Sequence, residues 1–85
     1  MFMQWEHLVD MIRANIPDYE VRKYIDIDEN TKLIEDLDYD SLAIMSLLSM
    51  LEEIGIEYTR IHNFFSRFNI CGEIYEGICE LKTTD

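Results

Sequence analysis

The chain is 85 residues long, enough for one domain with a modest core and too short for two. Eighteen acidic residues against seven basic ones give a net charge of -11 and a pI near 4.3, which argues against nucleic acid and anionic membranes as partners and for basic protein surfaces reached by long-range steering. Hydrophobic residues at 48% argue against disorder, and no apolar run approaches the ~20 residues that span a bilayer.

At the start of the chain, Gln4, Glu6 and His7 interrupt the apolar residues near Met1, so no cleavable leader is expected. Trp5, Leu8, Val9, Ile12 and Ile16 then fall at helical spacing and predict a first helix with one apolar stripe, closed by Pro17. From Asp18 to Asp40 comes a long acidic connection with scattered apolar residues, among them Tyr19, Val21, Tyr24, Ile25, Ile27, Leu33, Ile34 and Leu37. Connections of this length are uncommon in small domains and call for a reason. A short helical turn fits near Val21 to Tyr24.

The second main helix is predicted from Ser41 to about Ile54. At about 100° per residue its buried stripe is Ile44, Leu47, Leu48, Leu51 and Ile54. Leu42 and Met45 fall on the opposite side with Ser49 and Glu52 and are expected to face solvent. Asp40 can cap this helix with its side-chain oxygen, which places Ser41 in the first turn, where backbone N–H groups favour an attached phosphate. Gly55 supplies a C-cap, and Ile56 and Tyr58 return the chain to the core.

A short third helix is predicted from Thr59, its cap, to Phe68, with Ile61, Phe64, Phe65 and Phe68 inward. Asn69 is read as the cap of a last helix in which Ile70, Ile74, Ile78 and Leu81 recur on one face and Gly72 and Gly77 weaken the helix. Cys71 and Cys79 lie on that helix about 12 Å apart, too far to bridge. With no Cys/His cluster and no Cys-x-x-Cys, a reducing cytoplasm is the expected compartment. Helical pieces with one apolar stripe each, and no strand signal, predict an all-α fold: a small four-helix bundle forming a single domain over 1–85. No second sustained stripe is present, so a monomer is expected.

The run Asp36-Leu37-Asp38-Tyr39-Asp40-Ser41-Leu42, followed by Leu47, Leu51-Glu52-Glu53 and Ile54-Gly55-Ile56, resembles the acyl carrier protein family, whose pattern here is D-L-G-x-D-S-L. The resemblance is specific between Leu33 and Ile56 and extends as a pattern from Trp5 to Leu81. It implies a four-helix bundle of acyl-carrier type with a long first loop and a short third helix. It also implies that Ser41 carries 4′-phosphopantetheine, transferred from coenzyme A by a phosphopantetheinyl transferase, and that the arm's thiol holds acyl groups as thioesters. The helix after the serine is what partner enzymes of the family recognise, so acyl-loading and acyl-processing enzymes with basic docking surfaces are expected to meet Asp36, Asp38, Leu42, Met45, Glu52 and Glu53. Asp38 stands where the family has glycine, and aspartate tolerates left-handed backbone angles well enough to keep the same turn. Ala43, Ile44 and Ser46 stand where family members of general fatty acid synthesis carry acidic residues, which points to a dedicated pathway. Fatty acid, polyketide and nonribosomal peptide pathways all remain open.

Other chemistries fit less well. A serine hydrolase needs a base beside Ser41 and a Gly-x-Ser-x-Gly elbow, and the chain offers only His7 and His62 and no elbow, so the expectation is a protein without catalytic activity. Asp26, Asp28 and Asn30 alternate like a calcium loop, but Thr31 replaces the required glycine and Leu37 the bidentate glutamate, so solvated charge is the reading and no metal is expected. The bulk of Tyr58, Phe64, Phe65 and Phe68 predicts a filled core that leaves short or polar cargo outside. The competing class is an unmodified acidic helical adaptor that binds basic proteins through the same face.

Overall fold

A computed structural model of the chain describes residues 4–55 and 69–83. Among these residues there are five helices and no strand: α1 (Trp5–Ala14), α2 (Tyr19–Tyr24), α3 (Leu33–Leu37), α4 (Ser41–Glu53) and α5 (Cys71–Thr83). No described helix is long and apolar enough to cross a membrane. The third helix expected from Thr59 to Phe68, with the core roles of Ile56, Tyr58, Ile61, Phe64, Phe65 and Phe68, lies outside the described residues, as does the side chain of Leu81.

The first stripe winds as expected, with Leu8, Ile12 and, just beyond the helix, Ile16 fully buried. Met11 joins them, while Val9 is only half-buried. Trp5 opens the helix and meets Tyr75 of α5 edge to face, ring centroids 5.5 Å apart. The turn after α1 is held by arginine rather than by Pro17 alone. Arg22 donates from Nε and Nη2 to the Ile16 carbonyl at 3.1 and 2.8 Å, and Arg13 donates to the Arg22 carbonyl at 2.7 Å. The Ile16 carbonyl, just beyond α1, and the Arg22 carbonyl, one that α2 leaves over at its end, are thereby satisfied.

The acidic connection is not a plain loop. Asp18 caps α2 by accepting from Glu20 N and Val21 N, so the helical turn foreseen at Val21 to Tyr24 begins two residues earlier. The five-residue α3 was not foreseen at all, because its apolar signal is one i, i+4 pair, Leu33 and Leu37, both buried. So short a helix is not stable alone. Its first N–H groups are taken up by a residue distant in sequence: the Asn69 carbonyl accepts from Leu33 N at 2.9 Å and Asn69 Oδ1 accepts from Ile34 N at 3.0 Å. Asn69 Nδ2 also donates to Glu35 Oε2 at 2.8 Å, so this side chain serves α3 and not the last helix it was expected to cap.

The same contact continues as a short antiparallel clasp. Lys32 and Ile70 form an isolated β-bridge, Cys71 N donates to the Thr31 carbonyl at 2.9 Å, and Gly72 N donates to the Glu29 carbonyl at 2.9 Å. In α4 the buried residues are Ala43, Leu47, Leu48 and Leu51, whereas Ile44 and Ile54, assigned to the core stripe, are half-buried, so the inward face is turned toward Ala43. Asn15 Nδ2 donates to Met11 O at 2.8 Å and lies 3.0 Å from Met50 Sδ, joining the end of α1 to α4. Gly55, at φ 96, ends α4 as expected of a glycine C-cap. On α5, Cys71, Ile74 and Ile78 are buried, and Ile70 just before it is half-buried.

Gly72 reads in sequence as a helix weakener, but the clasp requires it. A Cβ there would stand 2.7 Å from the Glu29 carbonyl oxygen and 3.1 Å from Glu29 Cβ. Gly72→Ala should therefore lower stability by about 1–3 kcal/mol despite its gain in helix propensity, read as a fall in the urea midpoint. A variant at least as stable as the parent would mean that the clasp yields without cost.

Candidate functional site

The site is built by the three residues that join α3 to α4, Asp38, Tyr39 and Asp40, and by the helix ends on either side, Leu37 and Ser41. Leu37 is fully buried and ends α3. Asp38 then takes a left-handed conformation, φ 55 and ψ 33, and is the only non-glycine residue with positive φ among those described. The aspartate thus makes the turn for which the resembled pattern has glycine. Tyr39 N donates to the Leu33 carbonyl at 3.0 Å and closes the turn.

Tyr39 points into the protein. It is 4% exposed, and its hydroxyl donates to the Ile12 carbonyl of α1 at 2.6 Å. Burial pushes the phenol above its ordinary 10.0, and the nearby Cys71 thiol, were it ionised, would add to the effect. This residue was missed in the sequence, where an aromatic between two aspartates reads as surface. The available signal was a two-residue alternation: Leu37 and Tyr39 go inward while Asp38 and Asp40 go outward, the pattern of a short extended link.

Asp40 caps α4. Its Oδ1 accepts from Ala43 N at 2.8 Å and its carbonyl accepts from Ile44 N at 3.0 Å. Ser41 is consequently the first helical residue, and it is exposed. No acidic side chain follows in the first turn, so the positive end of α4 is answered by Asp40 alone. Beside the serine, Leu42 is 78% exposed and Met45 is 46% exposed. Ser49 and Glu52 continue the same outward face, as the helical arithmetic required.

The acidic candidates do not form a single rim around the serine. Asp38 and Asp40 precede it in the link and are exposed. Asp36 is exposed, but its Oδ2 accepts from Lys32 N at 2.9 Å and steadies the start of α3. Glu52 and Glu53 are exposed at the far end of α4, about 16 Å along the axis from Ser41, so they belong to a second acidic area. Asp28, first noted for its calcium-like spacing, is held in a local turn. Its Oδ1 accepts from Asn30 N at 2.8 Å and from the Thr31 hydroxyl at 3.2 Å, and Thr31 Oγ1 accepts from Asp28 N at 2.8 Å. His7 is exposed on α1, and His62 lies outside the described residues.

Comparisons with protein-family models, with curated proteins and with solved structures find no match. The site is therefore weighed on its own geometry. An exposed hydroxyl stands on the first turn of a capped helix, beside two exposed apolar side chains and two outward aspartates. Such a surface suits an attachment point and a docking face, with the hydroxyl open to another protein's catalytic groups.

Two expectations follow from this construction. Asp40→Ala should cost about 1 kcal/mol through loss of the cap, seen as a lower thermal midpoint, and Asp40→Asn should recover most of it. The buried Cys71 thiol is pushed from its ordinary 9.0 up to about 12, first by burial and then by Asp28 and Asp36 nearby. A raised folded value favours the neutral thiol, so the stabilisation is complete below about pH 9 and is lost as pH rises toward about 12. Urea midpoints measured across that window should fall more steeply for the parent than for Cys71→Ala, and parallel slopes would count against the assignment.

Proposed function

We propose that this chain is a carrier protein of acyl-carrier type, with 4′-phosphopantetheine on Ser41 and no catalytic activity of its own. The observation that carries the reading is the position of Ser41: exposed, first in α4, directly after the left-handed Asp38 and the capping Asp40. The residues suit the group. A phosphodiester on Ser41 would face the positive end of a helix with no acidic side chain in its first turn, and the exposed Leu42 offers apolar surface beside it. When attached, the group supplies a thiol that holds acyl intermediates as thioesters.

In this reading α1, α4 and α5 are three of the four principal helices of a small carrier bundle, and the protein works as a monomer in the cytoplasm. Its partners are a phosphopantetheinyl transferase and acyl-loading and acyl-processing enzymes. Asp38 and Asp36 would meet basic residues of those enzymes next to the serine, Leu42 and Met45 would supply the apolar contact, and Glu52 and Glu53 would meet a second basic area. The first turns of α4 carry Leu42, Ala43, Ile44, Met45 and Ser46 and no charge, which suits a dedicated biosynthetic pathway of the fatty acid, polyketide or nonribosomal peptide kind. The same exposed Leu42 and Met45 beside outward aspartates also favour a second reading, an unmodified acidic adaptor for basic proteins.

Intact-mass measurement separates the two. After incubation with coenzyme A, magnesium and a broad-specificity phosphopantetheinyl transferase, the chain should gain one phosphopantetheine group, and Ser41→Ala should gain none. An unchanged mass with several such transferases would sink the carrier reading and leave the adaptor.

A further inference from the structure

The clasp that seats α3 also gathers three segments of the chain around a cavity of about 230 Å³. Its walls are Trp5 at the start of α1, Glu29 in the loop before α3, and Gly72, Tyr75 and Glu76 on α5. The two rings stand at 79° with centroids 5.5 Å apart, so they form a corner rather than a flat stack. Both are half-buried and reach the surface. Glu29 is brought to the corner by the bond from Gly72 N to its carbonyl at 2.9 Å, and Glu76 follows Tyr75 on α5. Both glutamates are exposed, so the cavity opens to solvent. None of these residues belongs to the α3–α4 link or to α4. Trp5 is about 10 Å along α1 from the Ile12 carbonyl to which that link is tied.

Of the five lining residues none is basic and two are carboxylates. The Tyr75 phenol is held above its ordinary value, first by a hydrogen bond with Cys79 one turn on, and in smaller part by the charge of Glu6, which brings a third carboxylate to the surroundings. An anion would be repelled here, and a neutral apolar molecule would strip water from carboxylates and give nothing back. A cation is drawn by both kinds of wall at once, because ring faces carry the negative end of the aromatic quadrupole. A guanidinium suits the corner better than an ammonium. It is flat and weakly hydrated, it can lie on a ring while its N–H groups reach a carboxylate, and its alkyl stem covers apolar surface. The net charge of -11 steers basic protein surfaces toward the chain, which makes a protein the source of that group.

We propose that this corner receives one arginine side chain of a basic partner protein, with its guanidinium against Trp5 and Tyr75 and paired with Glu29 and Glu76. The inference does not depend on what Ser41 carries and holds for a carrier and for an adaptor alike.

Trp5 is the one tryptophan of the chain, so its indole N–H resonance reports on the corner, with the Gly72 amide as a second reporter. The unmodified full chain is titrated at constant ionic strength with acetyl-Ala-Ala-Arg-Ala-Ala-amide and with the same peptide carrying lysine or the neutral isostere citrulline. The arginine peptide should move both resonances to saturation, with a midpoint about tenfold below those of the other two. Glu29→Gln combined with Glu76→Gln should raise that midpoint about tenfold, and the clasp is kept because it uses only the Glu29 carbonyl. Glu20→Gln combined with Asp26→Asn removes the same charge from exposed positions outside the cavity and should change the midpoint by less than about twofold.

No saturation with any peptide, or equal midpoints for arginine and citrulline, would overturn the proposal. Equal losses in the two double variants would overturn it too, by reducing the attraction to net charge. Lysine binding as tightly as arginine overturns the choice of a guanidinium, and methylguanidinium alone binding as tightly as the peptide overturns a protein as its source. Tyr75→Leu removes one wall while Trp5 still reports, and it should abolish the preference for arginine over lysine; a preference kept in full overturns the role of the rings. Should Tyr75→Leu not fold, the carboxylate variants decide by themselves.

Discussion

The clasp between residues 29–33 and 69–72 is the constraint on which the serine's position depends. Three backbone hydrogen bonds, from Leu33 to Asn69, from Cys71 to Thr31 and from Gly72 to Glu29, cross between segments about forty residues apart in sequence. Asn69 adds its side chain to the backbone of Ile34 and to Glu35. Without these partners, α3 has too few internal hydrogen bonds to offset the cost of ordering five residues. With them it becomes a fixed platform. The absence of a Cβ at Gly72 is what allows the two backbones to approach so closely.

From that platform the chain needs only three residues to reach Ser41, and each has one task. Asp38 reverses direction in the left-handed region, Tyr39 ties the link to α1 through the Ile12 carbonyl, and Asp40 receives the Ala43 N–H and starts α4. The link is thereby held at both ends and in the middle, although the side chains of Asp38 and Asp40 are exposed. A serine displayed by so constrained a segment keeps a fixed relation to the face of α4, and in the carrier reading this preorganisation would serve a partner enzyme that docks there.

The main helices were legible because their signal is local. Leu8 and Ile12 in α1 with Ile16 just beyond it, and Leu47, Leu48 and Leu51 in α4, repeat at helical spacing and are buried as that spacing requires. Gly55 and Asp40 were legible as caps for the same reason, since capping chemistry acts within one turn. What escaped was non-local. Nothing near Leu33 announces that its N–H will find Asn69, and nothing near Asn69 shows that its side chain will turn from α5 to α3. Tyr39 escaped because its aspartate neighbours dominate any windowed average, while its burial depends on an acceptor in a helix 27 residues earlier. At the site itself, Ser41, Leu42 and Met45 could be placed by the helical repeat alone, but the separation of Asp36, Asp38 and Asp40 from Glu52 and Glu53 needed the length of α4.

That separation bears on how the charge of -11 would act if the chain is a carrier. Acidic groups lie before the serine and at the far end of α4, and the helix between them shows solvent Leu42, Met45 and Ser49. Charge at a distance raises the rate of encounter with a basic surface, yet it is screened by salt and discriminates poorly among basic partners. The apolar stretch works differently: it contributes only once a matching surface has come into contact and expelled water. Approach would then be governed by the two acidic ends and the choice of partner by the uncharged middle.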